Sequence, residues 1–327
     1  MPYLKDSSYK PPFWLMGGHL QTMYPVLFRK KPKMVSSREI LSTPDGDRIL
    51  LDIALAENNG RSKDVAILSH GLEGDSRRKY ILGMGRAFLK RGVDVVARNF
   101  RCCGGEMNAL PGMYHSGQTE DIQTVVNFCL KRGYKRIFLL GFSMGGNQVL
   151  KYLGEPEGRL PVQIAGAVVF SVPCDLTGCA KTLDMPSNRV YMEYFLRSLR
   201  VKIREKNRLY PELYPLQGLD DMKTFAEFDN RYTAPVHGFT SAADYWEKAS
   251  SLPFLHKITV PTLLVNAKND PFLSESCFPV ALAKSHEHLF FEMPGQGGHV
   301  GFVPRHGSRY WSERRAVQFL LQGSYHS

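Results

Sequence analysis

Residues 135–149, KRIFLLGFSMGGNQV, decide how the rest of the chain is read. Four apolar residues at 137–140 read as a buried strand that runs straight into Gly141-Phe142-Ser143-Met144-Gly145, and the residues that follow can start a helix. This is the pattern of a nucleophile elbow, the sharp strand-to-helix turn that exposes a serine hydroxyl in a strained conformation. Glycines two positions before and two after the serine leave no side chain where the turn brings strand and helix together. A helix starting at Met144 aims its unpaired N–H groups and the positive end of its dipole at any oxyanion formed beside Ser143. In a chain with 29 glycines the pentapeptide alone also suits an ordinary glycine-rich turn, so its surroundings carry the argument.

Those surroundings alternate. Residues 37–56 switch between apolar and polar around Pro44-Asp45-Gly46-Asp47, a hairpin turn between two strands. A strand at 65–69, a helix at 77–91 before Gly92, a strand at 93–97 and a helix at 118–132 stopped by Gly133 follow. After the elbow a helix runs to about Gly154 and a strand covers 164–171. Such alternation predicts a mostly parallel sheet with helices on both faces, entered through an antiparallel hairpin. Ligand chemistry then gathers at the C-terminal ends of the strands. From about 175 to 251 the alternation stops. This stretch holds a basic helical piece, prolines at 211, 215 and 235, and aromatics including Tyr191, Phe195, Phe225, Phe228, Tyr232, Tyr245 and Trp246. It reads as a helical cap insertion, some of whose aromatics line a pocket above Ser143. Strand at 262–266, helix at 274–284, strand at 289–293 and helix from about 312 to 322 complete the pattern. The expected sheet has eight strands in a single domain spanning 1–327. Residues 1–34, dense in special residues at Phe13-Trp14-Leu15-Met16-Gly17-Gly18-His19, pack against it, and His19 reads as structural.

A serine needs a base within hydrogen-bond reach and an acid to orient that base. Asp270, in Asn269-Asp270-Pro271, follows the strand at 262–266 after a short loop. His299, in Gly297-Gly298-His299-Val300-Gly301, sits in a glycine-rich loop after the last strand. Order and strand ends both fit: Ser143, Asp270 and His299 are the expected catalytic residues. The oxyanion donors are then the backbone N–H of Met144 and, from the loop His70-Gly71-Leu72-Glu73-Gly74, that of Leu72. Spacing of His70 and Asp75 also matches an acyltransferase motif, so transfer to an alcohol other than water is the alternative, with a non-catalytic binding protein behind it. His286 and His288 lack a third ligand nearby, and no metal site is expected.

Composition narrows the class. A chain of 327 residues that is 43% hydrophobic buries a large core and is not disordered. No apolar run reaches the length of a membrane span, the first 25 residues contain no secretory signal, and the six cysteines form no CxxC pair. A cytoplasmic protein with free thiols is expected. The net charge of +11 comes from scattered residues, densest at 197–208 (RSLRVKIREKNR), with no zinc-finger or RRM pattern, so no nucleic acid partner is expected. That basic stretch reads as a solvated helix face; weak peripheral contact with an anionic membrane is the other use such charge has.

With these stretches in view, the chain resembles the α/β-hydrolase superfamily, and within it the YheT-type subfamily of bacterial esterase-like and eukaryotic lipid-directed members. FWLMGGHLQTMYP (13–25), TPDGDRILLD (43–52), RNFRCCGGE (98–106), YHSGQTED (114–121), the elbow and FDNRYTA (228–234) carry the resemblance across nearly the whole chain. Cys102 departs from it, standing where glycine is expected. The resemblance implies an α/β-hydrolase fold and hydrolysis of carboxylic esters, with medium-chain or lipid-like acyl groups, and no cofactor.

Overall fold

The computed structural model describes residues 3–57, 62–155 and 160–323. Its strands in chain order are β1 (Tyr3–Leu4), β2 (Ser37–Ser42), β3 (Arg48–Ala54), β4 (Asp64–Ser69), β5 (Asp94–Arg98), β6 (Arg136–Phe142), β7 (Ile164–Phe170), β8 (Thr262–Val265) and β9 (Leu289–Glu292). They form one sheet in the order β1-β9-β8-β7-β6-β4-β5-β3-β2. Pairing is parallel from β1 through β5, and antiparallel only where β3 meets β5 and β2. Central strands are covered on both faces and therefore read as unbroken apolar runs. Their side chains still alternate: Val65, Ile67, Ile137 and Leu139 enter one core, Ala66, Leu68, Phe138 and Leu140 the other.

Helices α1 (Gly18–Phe28), α2 (Lys79–Leu89), α3 (Glu120–Lys131) and α4 (Met144–Gly154) precede the segment between β7 and β8. That segment carries α5 (Leu176–Leu183), α6 (Arg189–Leu209), the short turns α7 (Phe225–Phe228) and α8 (Ala234–Val236), and α9 (Ala242–Ala249). After it come α10 (Val280–Ser285) and α11 (Trp311–Gln322). The α2 residues Ile81, Met84 and Phe88 share one core with Trp311 and Phe319 of α11; α3, α4 and α10 supply the opposite core with Ile122, Val125, Leu150 and Ala283. The helices between β7 and β8 pack with Cys102, Met113 and Phe272 in a third cluster around Leu196, Leu199, Ile203, Tyr214 and Tyr232.

Three local differences from the sequence reading have physical causes. The eight expected strands are β2 to β9; a ninth, β1, adds two residues to the edge, Tyr3 opposite Phe291 and Leu4 opposite Glu292, too short to show a period. The helix expected at 274–284 is broken into a 3₁₀ turn, Glu275–Cys277, and α10. Pro279 has no N–H to give and disfavours helical backbone at Phe278 before it. Cys102, where glycine was expected, does hold φ +59. That left-handed geometry costs an L-residue about 1–2 kcal/mol, and the buried thiol lies 2.7 Å from Asn108 Oδ1, to which it donates. All six cysteines are buried free thiols.

Glycine has two distinct reasons here. At Gly145 a Cβ would lie 2.3 Å from the His70 carbonyl oxygen and 2.6 Å from that of Ser69, both at the end of β4. At Gly133 φ is +84 but a Cβ would meet nothing within 4 Å. Gly133→Ala should therefore cost about 1 kcal/mol of unfolding free energy in urea, the strain of left-handed backbone alone. Gly145→Ala should cost several times more, on the order of 3 kcal/mol or above, because buried backbone must move. Equal losses would refute the steric account of the elbow.

Candidate active site

Ser143 follows β6 and caps α4 with φ +54 and ψ −124. Its N–H donates to Phe170 O at 2.9 Å, and its carbonyl accepts from Gly146 N at 2.9 Å and Asn147 N at 3.1 Å, so the turn is held from both sides. A Cβ at Gly141 would meet Gly146 Cα at 2.5 Å, which explains the glycine on the strand side. The structure brings the three expected side chains together. His299 Nε2 lies 2.9 Å from Ser143 Oγ, and His299 Nδ1 lies 2.9 and 3.1 Å from the Asp270 carboxylate oxygens. A carboxylate only accepts, so Nδ1 carries the proton and Nε2 is free to accept from the serine hydroxyl. Asp270 is also fixed by accepting from Phe272 N at 3.0 Å, and the Phe272 ring packs 4.2 Å from the imidazole.

Of the expected oxyanion donors, Met144 opens α4, where an amide has no intrahelical acceptor. In the loop after β4 the Gly71 N–H donates to Tyr80 Oη at 3.0 Å, and Gly74 N–H to Gly71 O at 3.0 Å. Leu72 and Met144 both border the same cleft as Ser143 and His299. His70 holds that loop rather than forming a second acid–base pair. Its Nδ1–H donates to Gly71 O at 2.8 Å, its Nε2 accepts from Phe100 N at 3.1 Å, and burial pushes its pKa down to about 3. Asp75 accepts instead from Arg77 N, so the His70–Asp75 spacing builds no site. The His286 ring is held by backbone, its Nδ1 accepting from His288 N and Leu289 N, while the His288 ring lies 4.0 Å from the Glu287 carboxylate.

Sequence reading missed the supports of this array. Inward from α1, the Thr22 hydroxyl accepts from His299 N at 2.9 Å and donates to Gly18 O at 2.7 Å. Gln21 Oε1 accepts from Gly297 N at 2.7 Å and from Asn269 Nδ2 at 3.0 Å, tying the His299 loop to the Asp270 loop. The fit is close: a Cβ at Gly18 would lie 1.9 Å from Asn269 O, and one at Gly301 would lie 2.4 Å from Gln21 O. The density of special residues at 13–22 was the available signal, and its function is support of the histidine loop. His19 itself is exposed and faces Tyr191 Oη of α6 at 3.2 Å. Glu73, next to Leu72, is the second support. Its buried carboxylate accepts from Lys202 Nζ at 2.7 Å and from the hydroxyls of Tyr114 and Ser198, so the loop after β4 is anchored to α6.

Above Ser143 lies a cleft of roughly 890 Å³, mouth included, walled by Leu176 and Leu183 of α5, Phe195 and Leu199 of α6, and Phe225, Phe228, Tyr245, Trp246 and Phe272. Among the expected aromatics, Tyr232 instead stacks on Tyr214 in the third cluster, and Tyr194 is exposed. One carboxyl intrudes on the apolar wall. Asp229 accepts from Thr233 Oγ1 at 2.6 Å and Trp246 Nε1 at 2.8 Å, and no cation pairs with it among the described residues. Burial pushes its pKa up to about 6, against the pull of those two donors. The half-buried residue borders the cleft. Because the folded value lies above the unfolded one, Asp229 favours folding below about pH 4 and loses that contribution as pH rises through about 6. Asn reproduces the donor and acceptor of the protonated acid. Asp229→Asn should thus gain stability relative to the parent on going from about pH 4 to 7, by on the order of 1–2 kcal/mol in urea titrations. A difference that stays constant with pH would contradict the buried-carboxyl assignment.

Known proteins place the chain. The model of the α/β-hydrolase fold family matches residues 65–305. The YheT protein of Escherichia coli K12 is 35% identical over 290 residues, 87% of this chain and 84% of its own. Human phospholipase ABHD3 is 29% identical over 90% of this chain and 74% of its own, and mouse monoacylglycerol lipase ABHD2 is 28% identical over 92% and 75%. In structure, the Pyrococcus furiosus esterase Pf2001 superposes with TM-score 0.57 at 18% identity, covering 90% of this chain and 98% of that one. A fold model that spans most of the chain and a relative aligned over most of both lengths make this protein a member of the α/β-hydrolase family, of YheT type.

Proposed function

We propose that the protein is a serine hydrolase that cleaves carboxylic esters through an acyl-enzyme. The observation that carries this reading is the unbroken line of hydrogen bonds from Asp270 through His299 to Ser143 Oγ, beneath an apolar cleft. In this scheme His299 Nε2 takes the hydroxyl proton as Ser143 Oγ attacks the ester carbonyl. Asp270, accepting from Nδ1, holds the tautomer and stabilises the imidazolium. The Leu72 and Met144 amides receive the oxyanion, each contributing roughly 10²- to 10³-fold in rate. The imidazolium then protonates the departing alkoxide, and His299 deprotonates the water that releases the acid. No step uses a metal or cofactor.

Residues 175–251 act as the cap of this site within a single domain, and their leucines and phenylalanines line an acyl pocket. The apolar wall suits medium-chain or lipid-like acyl groups, and relatives named for phospholipase and monoacylglycerol lipase activity support the lipid-like class. Hydrolysis of p-nitrophenyl esters with acyl chains of about two to sixteen carbons tests both parts. Turnover should peak above acetyl and vanish in Ser143→Ala. Equal turnover of acetyl and decanoyl esters would contradict the pocket, and turnover that survives Ser143→Ala would contradict the nucleophile.

Thr22 is a positioning residue, acting through the backbone of His299. Thr22→Val keeps the shape and leaves the His299 N–H without its acceptor, a loss of about 1–3 kcal/mol for a buried donor. The expected result is a fall in kcat of about ten-fold or more with KM little changed, rescued by Thr22→Ser. A variant with parental kcat would remove α1 from the mechanism.

A further inference from the structure

Helix α1 is turned inside out. Its buried positions are Gln21, Thr22 and Pro25, while Leu20, Val26, Leu27 and Phe28 face solvent. The strand of chain before it adds Phe13, 84% exposed, and Met16, 74% exposed. Trp14 packs edge-on against Tyr24 at 5.0 Å and Tyr24 lies tilted against Phe28 at 5.1 Å, so this preceding chain lies back along the helix and the apolar groups form one surface. The surface continues onto α6. Lys79 Nζ donates to Val26 O at 2.7 Å while its neighbour Arg78 reaches Tyr194 Oη at 3.5 Å, and beyond Tyr194 the exposed Val190 follows. Large exposed apolar patches on a folded chain mark interaction surfaces.

Charge selects the occupant. Between Ser7 and Arg38 the chain has no Asp or Glu, but it has Lys10, Arg29, Lys30, Lys31, Lys33 and Arg38. Arg29 pairs with Glu313 and Arg38 with Asp52, whereas Lys10, Lys30, Lys31 and Lys33 are exposed with no ion pair among the described residues. On α6 the exposed Arg189 and Arg197 flank Val190 and Tyr194. A second copy of this chain would bring the same cations to the contact and be repelled. Apolar side chains ringed by unpaired cations fit the interface of a bilayer that carries anionic headgroups. No helix among the described residues is long and apolar enough to cross a membrane, so such contact is peripheral.

We propose that the outer face of α1, the chain from Phe13 and the exposed edge of α6 form a docking surface for an anionic phospholipid bilayer. The inner face of the same helix holds the His299 loop through Thr22 and Gln21, so docking sets the cleft beside the lipid. Binding is measured apart from ester hydrolysis, in Ser143→Ala protein, so it stands or falls independently of the proposed activity. The probe is co-sedimentation with vesicles of phosphatidylcholine alone, or with about 30 mol% phosphatidylglycerol, at roughly 0.1 M salt.

The expected result is binding to the anionic vesicles at least about ten-fold tighter than to neutral ones, falling as salt rises. Leu27→Ser with Phe28→Ser, and separately Lys30→Glu with Lys31→Glu and Lys33→Glu, should each weaken binding about ten-fold while leaving the melting temperature near parental. No binding, equal binding to both vesicle types, or variants that bind like the parent would overturn the proposal. So would reversible dimerisation in sedimentation velocity that Leu27→Ser with Phe28→Ser abolishes, which would assign the surface to a second copy.

Discussion

The site depends on a backbone conformation that an L-residue adopts only under constraint. Ser143 sits at φ +54, a region that costs on the order of 1–3 kcal/mol outside glycine and persists only where the surroundings over-determine it. Here they do. The Ser143 N–H is spent on Phe170 O of β7, its carbonyl on the first turn of α4, and strand β6 below is buried among parallel neighbours. Gly141 and Gly145 remove the two side chains that would otherwise push α4 off β6 and β4. The result is a hydroxyl raised above the sheet's C-terminal edge, with the amide of Met144 beside it.

Around that fixed point the remaining groups arrive on separate loops, which must be held to each other as well as to the sheet. Amide and hydroxyl side chains perform this task. Gln21, Asn269 and Gln296 form one network between the loops of Asp270 and His299, with Gln296 Oε1 accepting from Gln21 Nε2 at 2.8 Å. Glu73 does the same on the oxyanion side, where removing Lys202 would leave a buried carboxylate without its cation. Polar groups therefore face inward on α1 and apolar ones outward, the reverse of an ordinary surface helix. One helix thus has two unlike faces, a polar one toward the histidine loop and an apolar one exposed.

Much of the sheet was legible because its strands are apolar, short and punctuated by glycine, as at Gly92 and Gly133. The elbow was legible because sterics restrict the residues at 141 and 145, and Asp270 and His299 because each follows a strand. Local chemistry set the limits of that reading. Strand β1 has two residues and no period, and Pro279 splits a helix whose apolar spacing looked continuous. Gln21, Thr22 and Glu73 act through contacts 41 to 277 positions away in sequence, and no pattern around them encodes the partner. Asp229 reads as one acid in a turn; only packing against Trp246 and Thr233 makes it a buried carboxyl at the cleft wall.

The central claim is that Ser143 is a nucleophile activated by His299. Intact-mass spectrometry of the protein after exposure to a fluorophosphonate, with peptide mapping, tests it most directly. The account predicts a single covalent adduct on Ser143 that forms at least about a hundred-fold more slowly in His299→Ala. An unmodified parent protein, an adduct on a different residue, or equal labelling of His299→Ala would contradict it.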